Sequence, residues 1–385
     1  MDFTQLLKVM VEREASDLFV TAGARPSVKV DGSVKPLTRD PLTARQARSL
    51  TYSTMNDAQQ SEFESSHECN YAISAPGIGR FRVSAFFQRN SPGMVLRRIK
   101  NEIPTMDELR LPPVLKDLAM SKRGLILFVG GTSTGKTTSL ASMIDYRNEN
   151  TKGHIICIED PIEFIHDHKK CIITQREVGI DTPSFEIALK NTLRQAPDVI
   201  LMGEIRSKDT MGYGLQFAET GHLCLATLHA NNANQALDRI ISFFAPEHHT
   251  QMWMDLSLNM KAIVAQQLVP RSDGKGRVAA IEVLINTPLA SDLIRKGAVH
   301  ELKELMKKST NVGMQTFDLA LYKLFEEGDV SYEEALAHAD SANDLRLMIK
   351  LSAEANPKLQ EQITASSTDG DMFFLQDDND FLNDR

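Results

Sequence analysis

Gly130, Gly135, Lys136 and Thr137 fit the spacing G-x-x-x-x-G-K-[ST] within Gly130-Gly-Thr-Ser-Thr-Gly-Lys-Thr-Thr138. The pattern suits phosphate chemistry. Glycines let backbone N–H groups converge on phosphate oxygens, and a helix N-terminus behind them adds about half a positive charge. Lys136 is a compact cation for β- and γ-phosphates, and the Thr137 hydroxyl suits a Mg²⁺ shell. Gly131, Thr132, Ser133, Thr134 and Thr138 complete the candidate nucleotide-binding stretch.

Hydrolysis of a nucleoside triphosphate also needs an oriented water and positive charge where the phosphoryl charge develops. Glu204 ends the apolar run Asp198-Val-Ile-Leu-Met-Gly-Glu204 and suits the metal shell, through water. Position 203 is Gly, so the usual Asp-Glu pair at the end of such a strand is missing and another carboxylate must come from elsewhere. Glu159-Asp160-x-x-Glu163 follows a second apolar run. Glu163 is the candidate to orient the attacking water, with Glu159 the runner-up. The bland alternative is helix capping or surface charge; a position directly after a buried strand favours chemistry. His229, at the end of a third apolar run, is either a γ-phosphate sensor or a structural strand-end histidine. Sequence does not rank the arginines Arg194, Arg206, Arg239, Arg271 and Arg277, or Arg80, Arg82, Arg97 and Arg98 nearer the start. Arg206 joins the candidate catalytic set.

Those residues must be positioned by a recognisable pattern of elements. Leu125–Val129 reads as a buried strand opening into the glycine turn, with a helix from Lys136. His154–Glu159, Asp198–Glu204 and His222–His229 read as further strands, and Ser184–Gln195 as a helix. Buried strands alternating with helices predict a parallel α/β sheet, whose ligands sit at the carboxyl ends of the strands. Glu159, Glu163, Glu204 and His229 all fall at such ends. Ala233–Phe244 and His249–Leu268 read as helices, and Asp273-Gly-Lys-Gly276 as a hairpin turn with Arg277–Ile285 the return strand.

Before residue 114 the pattern is that of a small α+β domain. A helix near the N-terminus precedes a strand from Ala15, a hairpin turning at Asp31-Gly32, a helix over 43–60, and strands at Tyr71–Ile73, Arg80–Phe87 and Met94–Ile99. The expected division is 1–100 for this domain, 101–113 for a proline-punctuated linker, 114–288 for the ATPase domain, 289–350 for a helical segment and 351–385 for a disordered acidic tail. Met372-Phe-Phe-Leu375 and Phe381-Leu382 are apolar islands in that tail.

The length of 385 residues predicts two or three domains. Six of the eight net negative charges lie in residues 361–385, where seven acids face Arg385 alone. The remaining body is near neutral, so no generic nucleic-acid surface is expected. No apolar run approaches the roughly 18 residues that span a bilayer, and the N-terminus lacks a signal-peptide pattern. Cys69, Cys157, Cys171 and Cys224 form no C-x-x-C pair. Reduced cytoplasmic thiols are expected, with neither a disulfide framework nor zinc.

Five motifs in order are similar to the secretion and pilus motor ATPases: Ala15-Ser-Asp-Leu, the phosphate loop, Ile158-Glu-Asp-Pro-Ile-Glu163, Leu193-Arg-Gln-Ala-Pro-Asp-Val-Ile-Leu-Met-Gly-Glu-Ile-Arg206 and Thr220-Gly-His-Leu-Cys-Leu-Ala-Thr-Leu-His229. Over roughly residues 1–345 the chain most resembles the type IV pilus retraction ATPases, the PilT/PilU family. The resemblance implies a PAS-like N-terminal domain, a RecA-like ATPase domain and a homo-hexameric ring. It also implies ATP as substrate with Mg²⁺, and work at the inner-membrane pilus base alongside a platform protein. It places Glu163 in an Asp box, Glu204 in the Walker B motif, and His222 and His229 in a His box. The paired C-x-x-C of the assembly ATPases is missing. Leu289-Ala-Ser-Asp-Leu-Ile-Arg295 stands where PilT-type motors carry Ala-Ile-Arg-Asn-Leu-Ile-Arg, and Phe19 stands where they carry His. These departures favour the accessory PilU branch, acting with a PilT-type motor. The rival expectations are a catalytically weak adapter of the main ring and a related secretion or DNA-translocating ATPase.

Overall fold

Near residue 114 the hydrophobic pattern changes from alternation to continuous apolar runs, and the architecture changes with it. The computed structural model describes residues 2–30, 32–99 and 102–355, which divide into two compact units. The first holds the residues up to Ile103 together with Ile158–His168 and Ile173–Ala188; the second holds Pro104–Cys157, Lys169–Ile172 and the chain from Leu189.

The first unit opens with α1 (Phe3–Glu12), β1 (Asp17–Val20), β2 (Ser27–Val30) and β3 (Ser33–Pro36). It continues with α2 (Ala44–Tyr52), α3 (Asp57–Ser66), β4 (Glu68–Ala75), β5 (Gly79–Gln88) and β6 (Ser91–Ile99). The six strands form one sheet in the order β3-β2-β1-β6-β5-β4, antiparallel at every neighbouring pair. Such a sheet buries one face, and β5 shows it: Phe81, Val83 and Ala85 are buried while Arg80, Arg82 and Ser84 are not. Leu6, Leu7 and Met10 of α1 and Phe63 of α3 belong to the same core as Leu18, Tyr71, Phe81 and Leu96. The single helix expected over 43–60 is in fact two. Asn56 starts the second with a capping box: Asn56 Oδ1 accepts from the Gln59 N–H, and Gln59 Oε1 accepts from the Asn56 N–H. A side chain competing for backbone donors in this way ends one helix and begins the next. Asp31 of the expected hairpin turn lies outside the described residues; Gly32 beside it has φ +78°.

The second part of the chain runs through α4 (Val114–Ala119), β7 (Gly124–Val129), α5 (Lys136–Asn150), β8 (Gly153–Glu159), β9 (Cys171–Glu177), α6 (Phe185–Thr192), β10 (Val199–Met202), α7 (Lys208–Glu219) and β11 (Leu223–Leu228). After these come α8 (Ala233–Ser242), α9 (His249–Asn259), β12 (Met260–Pro270) and β13 (Arg277–Ile285). The sheet order is β13-β12-β7-β11-β10-β8-β9. β10, β11, β7 and β12 are mutually parallel, and β13 returns antiparallel on β12. β7 lies inside the sheet with every residue buried, which explains its uninterrupted apolar sequence. Burying a side chain such as Phe128 contributes about 1.5–3 kcal/mol.

One expectation fails here. His249–Leu268 is not a single helix: α9 stops at Asn259, and Met260–Pro270 is strand β12. Its neighbours β7 and β13 hold it on both sides, and Met260 and Ala262–Gln266 are buried, so no polar alternation marks it as a strand. The β-branched Ile263, Val264 and Val269 suit that site. β9 likewise has no counterpart in the sequence expectation.

Helices α10 (Pro288–Arg295), α11 (Leu302–Lys308), α12 (Phe317–Glu326), α13 (Tyr332–His338) and α14 (Ala342–Ala355) complete the described chain. α14 continues to Ala355, so residues 351–355 of the expected tail are helical. Residues 356–385, including both apolar islands, lie outside the described residues. Among the described residues no helix is long and apolar enough to cross a membrane.

Gly313 closes a short turn before α12 at φ +90°, where an added Cβ would lie 2.8 Å from Val114 Cβ on α4. Gly313→Ala combines left-handed strain with a clash against Val114 and is expected to lower unfolding free energy by about 2 kcal/mol. Urea titration reads this directly; an unchanged midpoint would refute it.

Candidate functional site

β7 delivers the chain into the phosphate loop, and α5 leaves it at Lys136. Gly130 has φ +155°, Gly135 φ +86°, and Ser133 between them φ +63°. Glycine is required at both ends. A Cβ on Gly130 would meet Gln266 O at 2.5 Å and Thr134 Oγ1 at 2.6 Å; on Gly135 it would meet Gln266 Nε2 at 2.8 Å. The loop is therefore pressed against strand β12. Gln266 is 2% exposed, and its Oε1 accepts from the buried Ser139 hydroxyl at 2.8 Å. Sequence reasoning missed both residues. Gln266 lay in a stretch read as helix, and Ser139 carries no motif of its own. Lys136 Nζ donates to the carbonyls of Gly130 (2.9 Å) and Gly131 (2.6 Å). Burial lowers its pKa, and the nearby Glu204 charge partly restores it. Thr132 and Thr137 are exposed, as is Gly131.

Glu204 follows two residues after β10 and His229 directly after β11, so two adjacent parallel strands bring them together. The exit of β10 is tied to β11 by Thr227, whose hydroxyl donates to Gly203 O and whose carbonyl accepts from the Ile205 N–H at 2.8 Å. Arg206 Nε donates to Glu204 Oε2 at 2.5 Å, and His229 Nε2 stands 2.9 Å from Oε1. Both carboxylate oxygens are thereby engaged while Arg206 and His229 remain exposed. His222 is not part of this cluster. It precedes β11, at the opposite end from His229, and pairs with Thr220 Oγ1 at 3.1 Å.

A cleft of about 360 Å³ opens beside the loop, lined by Gly130, Gly131, His229, Ala230, Asn231, Gln235 and Arg239. Asn231 and Gln235 had not been anticipated. Asn232 Oδ1 caps α8 by accepting from the Gln235 N–H at 2.9 Å, while Gln235 Oε1 accepts from the Asn231 N–H at 3.3 Å. The pair braces the cleft wall. Arg239 lies one turn further along α8, its guanidinium 5.8 Å from the Phe243 ring centre. Two other candidate arginines are committed to buried aspartates: Arg97 to Asp17 at 2.9 Å and Arg271 to Asp329 at 2.8 Å.

Mg²⁺ prefers hard oxygen donors and keeps several waters while using one or two protein ligands plus phosphates. The exposed Thr137 hydroxyl fits that demand, and the Glu204 carboxylate, with both oxygens engaged, would fit it through water. Among the described residues no group of three or more His, Cys, Asp or Glu side chains could hold a metal ion by itself.

The remaining candidate acids lie in the first unit. Glu159 is buried and accepts from Gln175 Nε2 at 3.1 Å and from the Glu163 backbone. Burial raises its pKa to about 7; those hydrogen bonds oppose the rise, and the charges of Glu163 and Glu177 add to it. Glu163 itself is exposed. Glu177 Oε2 accepts from the Ile162 N–H at 3.3 Å, and its pKa is raised by burial against the pull of Arg80 and Arg82.

The profile of the family described as "Type II/IV secretion system protein" matches residues 2–336. The chain is 66% identical over 375 residues to the Pseudomonas aeruginosa "Type IV pilus ATPase PilU", covering 96% of this chain and 98% of the relative. It is 41% identical over 335 residues to that organism's "Type IV pilus retractation ATPase PilT", covering 87% and 97%. Among solved structures it is similar to a crystal structure of the pilus retraction motor PilT with bound ADP, at TM-score 0.84 and 39% identity over 90% of this chain and 99% of that one. It also resembles the Legionella pneumophila ATPase DotB, at TM-score 0.71 and 25% identity over 86% and 93%.

Glu159 yields a signed pH prediction. A carboxyl whose folded pKa is raised holds its proton longer in the folded state than in the unfolded one. Stability therefore falls as pH rises from the unfolded value through about 7. Glu159→Gln removes that loss and is expected to be more stable than wild type at pH 8 by on the order of 2 kcal/mol, but not at pH 4. Equal pH dependence in denaturant titrations of the two proteins would contradict the assignment.

Proposed function

We infer function from one premise: this chain belongs to the type II/IV secretion system protein family. It is an ATPase of the type IV pilus machinery, acting in pilus retraction and twitching motility. The observation that carries the reading is that Glu204 pairs with His229, which lines the cleft beside the phosphate loop, and bears on the charge of Lys136 in that loop. The finer assignment is the accessory PilU-type motor working beside a PilT-type motor. The 66% identity to PilU and the altered segment Leu289–Arg295 support that branch.

The proposed reaction is ATP plus water to ADP plus phosphate. Backbone N–H groups of the loop between Gly130 and Thr138 hold the phosphates, and Lys136 leaves its carbonyl partners to neutralise the β- and γ-phosphates. Bound Mg²⁺ would be held by Thr137 and, through water, Glu204, and would supply charge neutralisation across the phosphates. Glu163 orients the attacking water, with Glu159 as the reserve carboxylate. His229 senses the γ-phosphate by way of its contact with Glu204, and Arg206 keeps that carboxylate aimed. No zinc enters the scheme.

At the level of architecture, the proposal makes residues 1–100 a PAS-like domain and 114–288 a RecA-like domain. Six copies form a ring at the cytoplasmic face of the inner-membrane pilus base, engaging a platform protein and no nucleic acid. Steady-state ATPase activity of the purified chain tests the chemistry. Lys136→Ala and Glu204→Gln are each expected to lower turnover at least about 100-fold, with Lys136→Ala also weakening ATP binding. A wild-type rate no higher than that of the variants would sink the enzyme reading and leave a nucleotide-independent adapter.

A further inference from the structure

The strand that ends the sheet carries an acid with no role in the chemistry above. Glu282 lies on β13, opposite Ala265 and so one residue from the loop-bracing Gln266 on β12. It is 1% exposed. Its Oε1 accepts from the Ala233 N–H, the first residue of α8, at 2.8 Å. Its Oε2 has no hydrogen-bond partner, although the backbone of Phe317 at the start of α12 favours the charged form. Two helix N-termini thus meet at one buried carboxylate. Just before the N-cap Asn232 of α8 lie His229, Ala230 and Asn231 of the cleft wall.

The surroundings extend the contact toward the end of the chain. Lys303 of α11 and Asp340 before α14 bear on the Glu282 charge, with Lys303 Nζ 2.5 Å from Asp340 Oδ2. Asp318 of α12 accepts through Oδ1 from the N–H groups of Asp340 (2.9 Å) and Ser341 (3.3 Å), while its Oδ2 has no partner. The opposite face of Glu282's neighbourhood, β12, contributes only Ala265 in register.

We propose that Glu282 is a positioning residue for the nucleotide cleft: its carboxylate holds the N-terminus of α8, and with it the wall from His229 to Gln235, and ties that wall to α12 and the helices behind it. An anion at a helix N-terminus is stabilising, and here one anion serves two. A buried acid is an expensive way to hold a strand, since an apolar residue of similar volume would stabilise the sheet more. A buried carboxylate whose Oε1 accepts from the first N–H of α8 fits a charge that sets the wall. Burial pushes its pKa to about 7, with Asp340 adding to the rise and Lys303 opposing it, so the hold strengthens as the group ionises above that value.

The inference rests on the ATPase reading for its functional consequence but not for its test. Glu282→Gln keeps an acceptor for Ala233 and removes the charge; Glu282→Ala removes both. At pH 6 wild type and Glu282→Gln are expected to coincide in amide exchange over residues 229–236, in KM for MgATP and in turnover. At pH 8 Glu282→Gln is expected to melt at a higher temperature than wild type, yet to exchange those amides faster and show a KM raised about fivefold with a smaller change in kcat. Glu282→Ala is expected to exchange faster at both pH values, while the amides of β7 and α5 stay as in wild type. Exchange and KM of Glu282→Gln equal to wild type at both pH values, with only the melting temperature altered, would overturn the proposal and leave Glu282 a structural acid. If wild type has no ATPase activity the functional premise fails, but the exchange comparison still decides whether Glu282 holds the wall.

Discussion

The close approach of strand β12 to the phosphate loop is the constraint on which the rest of the second unit depends. Gln266 occupies, with its backbone oxygen and its side-chain amide, the space that a Cβ would need at Gly130 and Gly135. The path of the loop between β7 and α5 is therefore fixed by the positive φ of Gly130 and Gly135. β12 must in turn be a buried strand, held between β7 and β13, because a helix there could not present one residue to both ends of the loop. The buried Ser139 hydroxyl donates to the buried Gln266 Oε1, which helps to keep the contact rigid.

Against this rigid frame, the charged groups are held by contacts that can be exchanged. Lys136 donates to two loop carbonyls, and Glu204 is shared between Arg206 and His229. Each is a hydrogen-bonded arrangement close to the surface, where net energies are small. An anionic ligand would offer Lys136 a stronger, charged partner than either carbonyl. Binding can thus rearrange the site without deforming the sheet. The cleft wall on α8 is braced differently, by Asn232, Gln235 and the buried Glu282, and so links the site to helices far along the chain.

Much of the site was legible in residue order. The glycines were legible because so few residue types tolerate that backbone. Glu204 and His229 were legible as strand ends, since a continuous apolar run followed by a polar residue marks the carboxyl edge of a parallel sheet. His222 shows the limit of that reasoning: it belongs to the same motif as His229, but the six-residue strand between them places it at the other edge, roughly 20 Å away. Gln266, Ser139, Asn231 and Gln235 escaped notice because each acts through a neighbour distant in sequence or through a turn whose geometry is not written in residue type.

The sequence by itself determined the glycine-rich turn between a buried strand and a helix, where the parallel strands of the sheet end, and which of two patterns each half of the chain follows. Local sterics and hydrophobic period suffice for that. Only the tertiary structure decided that Met260–Pro270 is a strand and that Glu282 lies beneath α8. A segment covered on both faces loses the alternation that would identify it, and a carboxylate's partners depend on which helices arrive above it. Those outcomes are set by packing between residues far apart in the chain, which no local pattern records.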